Sequence, residues 1–504
     1  MVTTSDTSAA PGVVRSLIPA RIDRLPWSPF HTRMVVALGI AWILDGLEIT
    51  VASSVAGVLN TPETLNLSST AVGLIATVYL AGEVVGALFF GRLSDKLGRR
   101  KLFMVTLGVY LFGSALTALT LGNSVGWILF LYLTRFIAGT GIGGEYAAIN
   151  SAIDELIPAR FRGRVDIAVN GTYWAGAIVG TLASLLFLNV LSPSVGWRLA
   201  FLVGPVLGLV ILLVRRHLPE SPRWQVMNGH EQAAEASISY IEHEVEQGGR
   251  SLPPVDESRA IELKPTEKIG YLALTRVLFR DYPSRSVLGA SLMISQSFLY
   301  NAIFFTYILV LTKFYGVSTG AAPLYLIAFA VGNLAGPLTI GHLFDTIGRK
   351  TMIAGTYVLS GVLLAGTAVL FNAGALNAVT QTIAWCVIFY FASAGASAAY
   401  LTVSEIFPLE VRSKAIAVFF AIAQGFGALG PVIYGALIGD GSHPFQLFLG
   451  YLLGAAVMIG GGLVAWFLAV DAEGKSLEDI ATPLSSTGRS RPGFTRAEGS
   501  ARPA

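Results

Sequence analysis

The chain has 504 residues, of which 53% are hydrophobic and only 13% charged, with a mean hydropathy of +0.65 and a net charge of +3. A soluble chain carries about 25% charged residues, so this composition excludes a soluble globular protein and reads as a polytopic membrane protein. The single cysteine, Cys386, excludes an internal disulfide and a thiol cluster for a metal.

Residues 1–33 are polar and form a cytoplasmic N-terminal segment. The first apolar run starts at Met34 and is about 26 residues long, which predicts a retained span and not a signal peptide. Further runs start near Thr70, Leu102, Val125, Val165 and Arg198, giving a six-helix bundle over 34–216. A polar central loop covers 217–285. Six more runs start near Ser286, Gly320, Thr351, Asn377, Lys414 and Phe445, giving a second bundle over 286–470. The remaining segment, 471–504, is rich in Ser, Pro, Arg and Gly and is expected to be disordered. The fold class is therefore all-α, with twelve transmembrane helices in two six-helix bundles.

Basic residues set the orientation. Apart from Arg135, Arg198 and Lys313, the 34 lysines and arginines fall on one side of the predicted spans. The positive-inside rule makes that side cytoplasmic, together with both termini. The setting expected is the cell membrane, with the lipid bilayer as the surrounding partner and the monomer as the working unit.

An internal repeat is visible by eye. GRLSDKLGRRK at Gly91 recurs as GHLFDTIGRKT at Gly341, and DELIPARFRGR at Asp154 recurs as SEIFPLEVRSK at Ser404. Both pairs share an offset of 250 residues. Two halves repeated in parallel characterise transporters whose site lies between them near the midplane.

The motif at 91–101 resembles the loop motif of the major facilitator superfamily. Arg135 with the glycines that follow it, Glu155 with Arg162 and Gly163, Pro219 through Arg223, and Glu405 through Arg412 resemble the sugar porter branch. The resemblance spans about residues 34–470 and implies alternating access. In the seventh span, sugar porters carry paired glutamines and a downstream asparagine; here the run is Ser295-Gln296 with Asn301. Asp45-Gly46-Leu47-Glu48 is similar to the first-span acidic pair of aromatic-acid and phosphate proton symporters. Gly143-Gly144-Glu145-Tyr146 resembles the fourth-span motif of the phosphate branch.

Charges inside apolar spans are costly and mark pathways. At 1.5 Å per residue, Asp45 lies about 16 Å from the inner start of its span and Arg135 about 15 Å from the outer start of its own, so both fall near the midplane. Glu48 shares a face with Asp45 at i+3. Glu83 and Glu145 lie deeper toward the inside. The proton-coupling set is thus Asp45, Glu48, Glu83, Arg135 and Glu145, with Asp45 as carrier and Arg135 as its counter-ion. All six histidines lie at or beyond the span edges, so carboxylates must carry any proton relay.

The second half offers Gln296, Tyr300, Asn301, Asn333, Trp385 and Tyr390 as stacking and hydrogen-bonding groups for a solute. At the cytoplasmic mouth, Asp95, Arg99 and Arg100 are expected beside Glu155 and Arg162. Asp345, Arg349, Glu405 and Arg412 form the second set, and the ion pairs of the two sets would hold the mouth shut. Gly139, Gly141, Gly143 and Gly144 form a close-packing surface.

Walker loops, zinc-ligand spacing and nucleophile elbows are all missing, so no enzyme, cofactor, metal or nucleic-acid function is expected. The reading is a secondary transporter. It favours proton-coupled symport of a small polar organic solute, a sugar or an organic or aromatic acid. A proton-coupled antiporter or exporter, and a non-transporting nutrient receptor, are the alternatives.

Overall fold

The computed structural model describes residues 14–59, 62–67, 69–215, 220–263, 270–318, 321–439, 441–482 and 484. Lipid offers no hydrogen bonds, so each apolar run closes its own backbone as a helix. The long helices are α1 (Pro29–Leu59), α2 (Ser69–Leu97), α3 (Arg99–Ala118), α4 (Val125–Leu156), α5 (Ala159–Val190) and α6 (Pro193–Arg215) in the first half. The second half supplies α7 (Pro283–Tyr315), α8 (Ala322–Thr346), α9 (Arg349–Asn372), α10 (Ala378–Glu405), α11 (Leu409–Ile438) and α12 (Pro444–Leu468). Eleven are long and apolar enough to span a bilayer, and α6 completes the twelve with a shorter apolar stretch, Pro193–Leu209. The twelve-helix, two-bundle architecture is the expected one.

Several helices start earlier than their apolar runs, because the flanking residues continue the helix. Pro283 and Pro444 sit in the first turn, where a missing N–H costs nothing. A capping box from Asn377 and Thr380 opens α10, and left-handed Gly316 closes α7. Gly98 and Gly348, at repeat-equivalent places, have φ of 82° and 116°, which the turns into α3 and α9 require. Gly139 and Gly143 of α4 lie against the carbonyls of Tyr79 and Glu83 on α2, so a side chain there would collide with backbone. That is the close-packing surface read from the sequence.

The halves meet along two pseudo-symmetric seams, α2 with α11 and α5 with α8, and α4 and α10 add contacts beside them. Hydrophobic packing is continuous across this interface.

The polar segments are more ordered than expected. β1 (Val14–Ser16) pairs antiparallel with β2 (Ile261–Leu263) of the central loop, a three-residue ribbon beside the otherwise helical fold. The short helix Ile18–Asp23 packs on Val226, Ala234 and Ile238. Arg21 and Arg24 both reach Glu242 on helix Glu231–Gln247, at 2.5 Å each. The N-terminal segment and central loop thus form one unit on the basic face. The expected disorder of the tail is corrected for its start: Leu477–Ile480 is helical, with Leu477 and Ile480 buried. Residues 485–504 lie outside the described set.

Candidate functional site

A cavity lies between the two halves. It offers about 120 Å³ to solvent, room for roughly ten waters at ~10–15 Å³ each. From the first half, Trp42 and Ile49 of α1, Leu80 of α2, Tyr146 of α4, and Asn170, Tyr173 and Trp174 of α5 line it. From the second half come Gln296, Ser297, Tyr300, Asn301, Phe304 and Phe305 of α7, Ser393, Ala396, Ser397 and Tyr400 of α10, and Gln424 of α11. Eight of these residues are aromatic and none is charged. Rings and amides in an uncharged site suit a small solute with a flat or ring-shaped body and several hydroxyl, carbonyl or amide groups.

Of the six solute contacts expected, Gln296, Tyr300 and Asn301 line the cavity. Asn333 stands behind them and accepts the Tyr300 hydroxyl at 3.0 Å. The other two are placed elsewhere. Trp385 is buried against Tyr307, with ring centroids 4.7 Å apart, and Tyr390 shares a hydrogen bond with Thr339 at 2.6 Å. The first half's contribution was missed. Its signal was helical spacing, since Asn170, Tyr173 and Trp174 fall at i, i+3 and i+4; in the second half, Ser393 and Ser397 of α10 were missed although they stand one turn apart on the face of Tyr400.

Two buried carboxylates sit on α1 behind the cavity, and the structure separates their partners. Glu48 forms an ion pair with Arg135 and also accepts from Ser114 at 2.5 Å and Tyr110 at 3.1 Å. The Arg135 guanidinium packs over Tyr79 and Phe201, 4.4 and 5.1 Å from the ring centroids. Arg135 is therefore the counter-ion of Glu48, which corrects the expected pairing with Asp45. The cause is depth. Measured from the helix ends opposite the basic face at 1.5 Å per residue, Arg135 lies about 15 Å in, Glu48 about 16 Å and Asp45 about 21 Å. The same geometry keeps Arg135 out of the cavity lining, so it offers no direct contact to an anionic solute.

Asp45, 2% exposed, is held by tyrosines. Tyr146 donates to its Oδ2, and Tyr79 donates to Oδ1 at 3.4 Å. Tyr146 also lines the cavity and stacks on Phe420, centroids 4.3 Å apart. One phenolic hydroxyl thus separates Asp45 from the cavity. Glu145 shares a small side pocket with Asp45, Trp42 and Tyr146. Glu83 accepts from the Gln424 side chain at 2.6 Å, a hydrogen bond that joins α2 to α11 across the seam.

On the basic face, ion pairs tie the halves together. Arg349 binds Asp345 at 2.6 Å and Glu405 at 3.2 Å, and Arg162 of the first half reaches the same Glu405 at 3.4 Å. The backbone N–H of Arg164 donates to Asp345 at 2.7 Å. Gly163, between them, faces the Arg349 and Asp345 side chains so closely that a Cβ would displace them. Arg162 therefore joins the second set of gate charges and does not stay within its own half. Arg412 donates to the Phe407 carbonyl at 3.1 Å, and its field is shaped by Asp154, Glu155 and Glu478. The backbone N–H of Arg100 donates to the Glu220 carboxylate at 3.3 Å. The side chains of Asp95 and Arg99 lie outside the described set. Arg223 adds a link missed from sequence, with Asp23 and Glu478 each at 3.5 Å.

Comparison with known proteins agrees with this architecture. Residues 39–484 match the family described as sugar (and other) transporter. The niacin transporter NiaP of Acinetobacter baylyi is 25% identical, with 92% of this chain and 99% of that one covered. The glucose transporter GlcP of Staphylococcus epidermidis is 27% identical, covering 82% and 89%. Among solved structures, the proton:xylose symporter XylE bound to 6-bromo-6-deoxy-D-glucose superposes with a TM-score of 0.75 at 20% identity, covering 90% of this chain and 98% of that one. With two homologous bundles, a cavity between them and a match over most of its length, the chain belongs to the sugar (and other) transporter family of the major facilitator superfamily.

Proposed function

We propose that the chain is a proton-coupled symporter that imports a small, ring-bearing polar organic solute, a sugar or an organic or aromatic acid, across the cell membrane. The observation that carries this reading is an uncharged, aromatic-rich cavity lying one tyrosine hydroxyl from buried Asp45. Solute and proton then sit in adjoining sites, each sensed by the same ring. Binding of solute against Tyr146 changes the hydrogen bond that holds Asp45, which is the differential contact that coupling needs. Ion pairs on the basic face close that mouth and must part before the cavity opens to that side. The density of lysine and arginine supports reading this face as the cytoplasmic one. The named solutes of NiaP, GlcP and XylE are all ring compounds, in keeping with the aromatic lining.

The test is uptake by purified protein in proteoliposomes, with nicotinate, glucose and xylose as labelled probes. Accumulation above equilibrium of at least one probe is expected only with an acid-outside pH gradient. Uptake that merely equilibrates under every gradient would make the chain a facilitator. Binding without any uptake would make it a receptor.

A further inference from the structure

Asp166 on α5 plays no part in the site described above. It is fully buried, and among the described residues neither of its carboxylate oxygens makes a well-formed hydrogen bond, the Asn170 amide being the side-chain donor that acts on it. The Asn170 side-chain amide lies beside it but is directed at the Asp166 main-chain carbonyl, at 2.7 Å, and at Asn150 Oδ1, at 3.3 Å. Its position on the helix is informative. Arg162, Asp166 and Asn170 recur every four residues and form one stripe along α5. The first of these belongs to the gate, through Glu405, and the last lines the cavity. Asp166 is the step between them.

A polar ladder links this step to Asp45. Tyr146 donates to Asp45, Asn150 donates to the Tyr146 carbonyl at 2.9 Å, Asn170 donates to Asn150, and Asn170 also donates to the Asp166 main-chain carbonyl. The ladder runs between α4 and α5 from the midplane toward the basic face. The charged groups acting on Asp166 are Asp154 of α4, Glu405 of α10 and Arg349 of α9. On α1, Arg33 turns away to Glu244 at 2.5 Å and His31 pairs with Ser28 at 2.9 Å. Helix α8, which also packs here, has no charged residue over Ala322–Ile340. Asp154, also buried, differs from Asp166 in facing two arginines, Arg412 and Arg162. An ionised carboxylate at 166, by contrast, would lie between two other carboxylates, and the cation that chiefly acts on it, Arg349, is already bound to Asp345 and Glu405. Such an uncompensated buried charge is costly, so the closed seam favours the neutral acid.

We propose that Asp166 is a second proton-binding station, on the gate side of Asp45. When the seam parts and admits water, the Asp166 carboxyl releases its proton to the basic face, and the carboxylate so formed takes up the proton that leaves the Asp45 carboxyl, so that it is neutral again when the seam closes. One proton enters and one leaves, with no other reactant. This role rests on the proton coupling proposed above, but proton binding at Asp166 can be read separately.

The experiment uses the purified full chain in lipid, with protons as the only probe and no solute. Infrared difference spectroscopy follows the carbonyl stretch of protonated carboxyls through a pH titration in light and heavy water. Asp166→Asn should remove one titrating carboxyl band that Asp45→Asn leaves in place, and the double variant should remove two. Asp166→Glu should keep the band at a shifted frequency, which covers the case in which the amide variant does not fold. The same bands in wild type and Asp166→Asn, or an unshifted band in Asp166→Glu, would overturn the proposal. If Asp45→Asn alone leaves every band unchanged, the carrier named above fails while the Asp166 result still stands.

Discussion

At the scale of single residues, the pair that decides the chemistry is Asp45 and Glu48, one helical turn apart with different partners. Glu48 is locked to Arg135, and removing its charge leaves a guanidinium buried without compensation. Glu48→Gln should therefore destabilise the protein by about 3–5 kcal/mol, seen as a clearly lower unfolding temperature in detergent. A wild-type melting curve would show that Arg135 finds another anion. Asp45 has no such cation among its hydrogen-bond partners, only Tyr79 and Tyr146. Asp45→Asn, a permanent mimic of the protonated acid, should abolish accumulation against a gradient and keep solute exchange in counterflow. Retained gradient-driven accumulation would move the carrier to Glu83 or Glu145. The buried charges themselves were legible in the sequence, because an acid in an apolar run has few explanations. Their pairing was not. Counting from the start of an apolar run carries an error of about a turn, and a turn is what separates residue 45 from residue 48.

Among the helices, the α5 segment around Gly163 is the contact on which closure turns, since the Arg349–Asp345 pair rests on a residue without a side chain. Gly163→Leu should wedge α5 from α8 and raise the reactivity, from the basic face, of a cysteine introduced at cavity residue Ser397. Unchanged reactivity would mean that the gate tolerates the wedge. The repeat revealed which residues are equivalent but not which half each would touch, so the reach of Arg162 to Glu405 had to come from the fold. The polar ends hid their order for another reason. Leu477 and Ile480 are two apolar residues in a polar stretch, too few to register as a periodic face, yet both are buried. The clasp of Arg21 and Arg24 on Glu242 also carries a pH signature. Burial alone would push the Glu242 carboxyl up, but hydrogen bonds and charge from the two arginines outweigh it and hold it below its ordinary value. Its stabilisation is then complete above the ordinary glutamate value of about 4.3 and is lost as pH falls through the lower folded value. Hydrogen exchange of the 18–23 amides should show protection that holds above that range, falls below it, and loses this dependence in Glu242→Gln.

For the molecule as a whole, the symport mechanism proposed above makes the basic-face network the balance between two openings. Exposed ion pairs are worth about 0–1 kcal/mol each, but Arg162, Arg349 and Glu405 are at most 2% exposed and share one carboxylate. Glu405→Gln weakens both of these ion pairs at once, the one from Arg162 across the halves and the one from Arg349 within the second half. In a Cys386→Ala background, a cysteine placed at Ser397 should then react about tenfold faster with a reagent confined to the basic side, the equivalent of 1.4 kcal/mol. The absence of any fixed charge from the cavity lining has an electrical consequence. With the ion pairs staying in the protein, a neutral solute crossing with one proton carries one elementary charge per cycle. A membrane voltage of about 100 mV would supply about 2.3 kcal/mol to each such turnover. That alone could sustain a solute ratio of roughly fiftyfold, before any difference in pH is added. A singly negative solute crossing with the same proton would carry no net charge, and its accumulation would ignore voltage altogether.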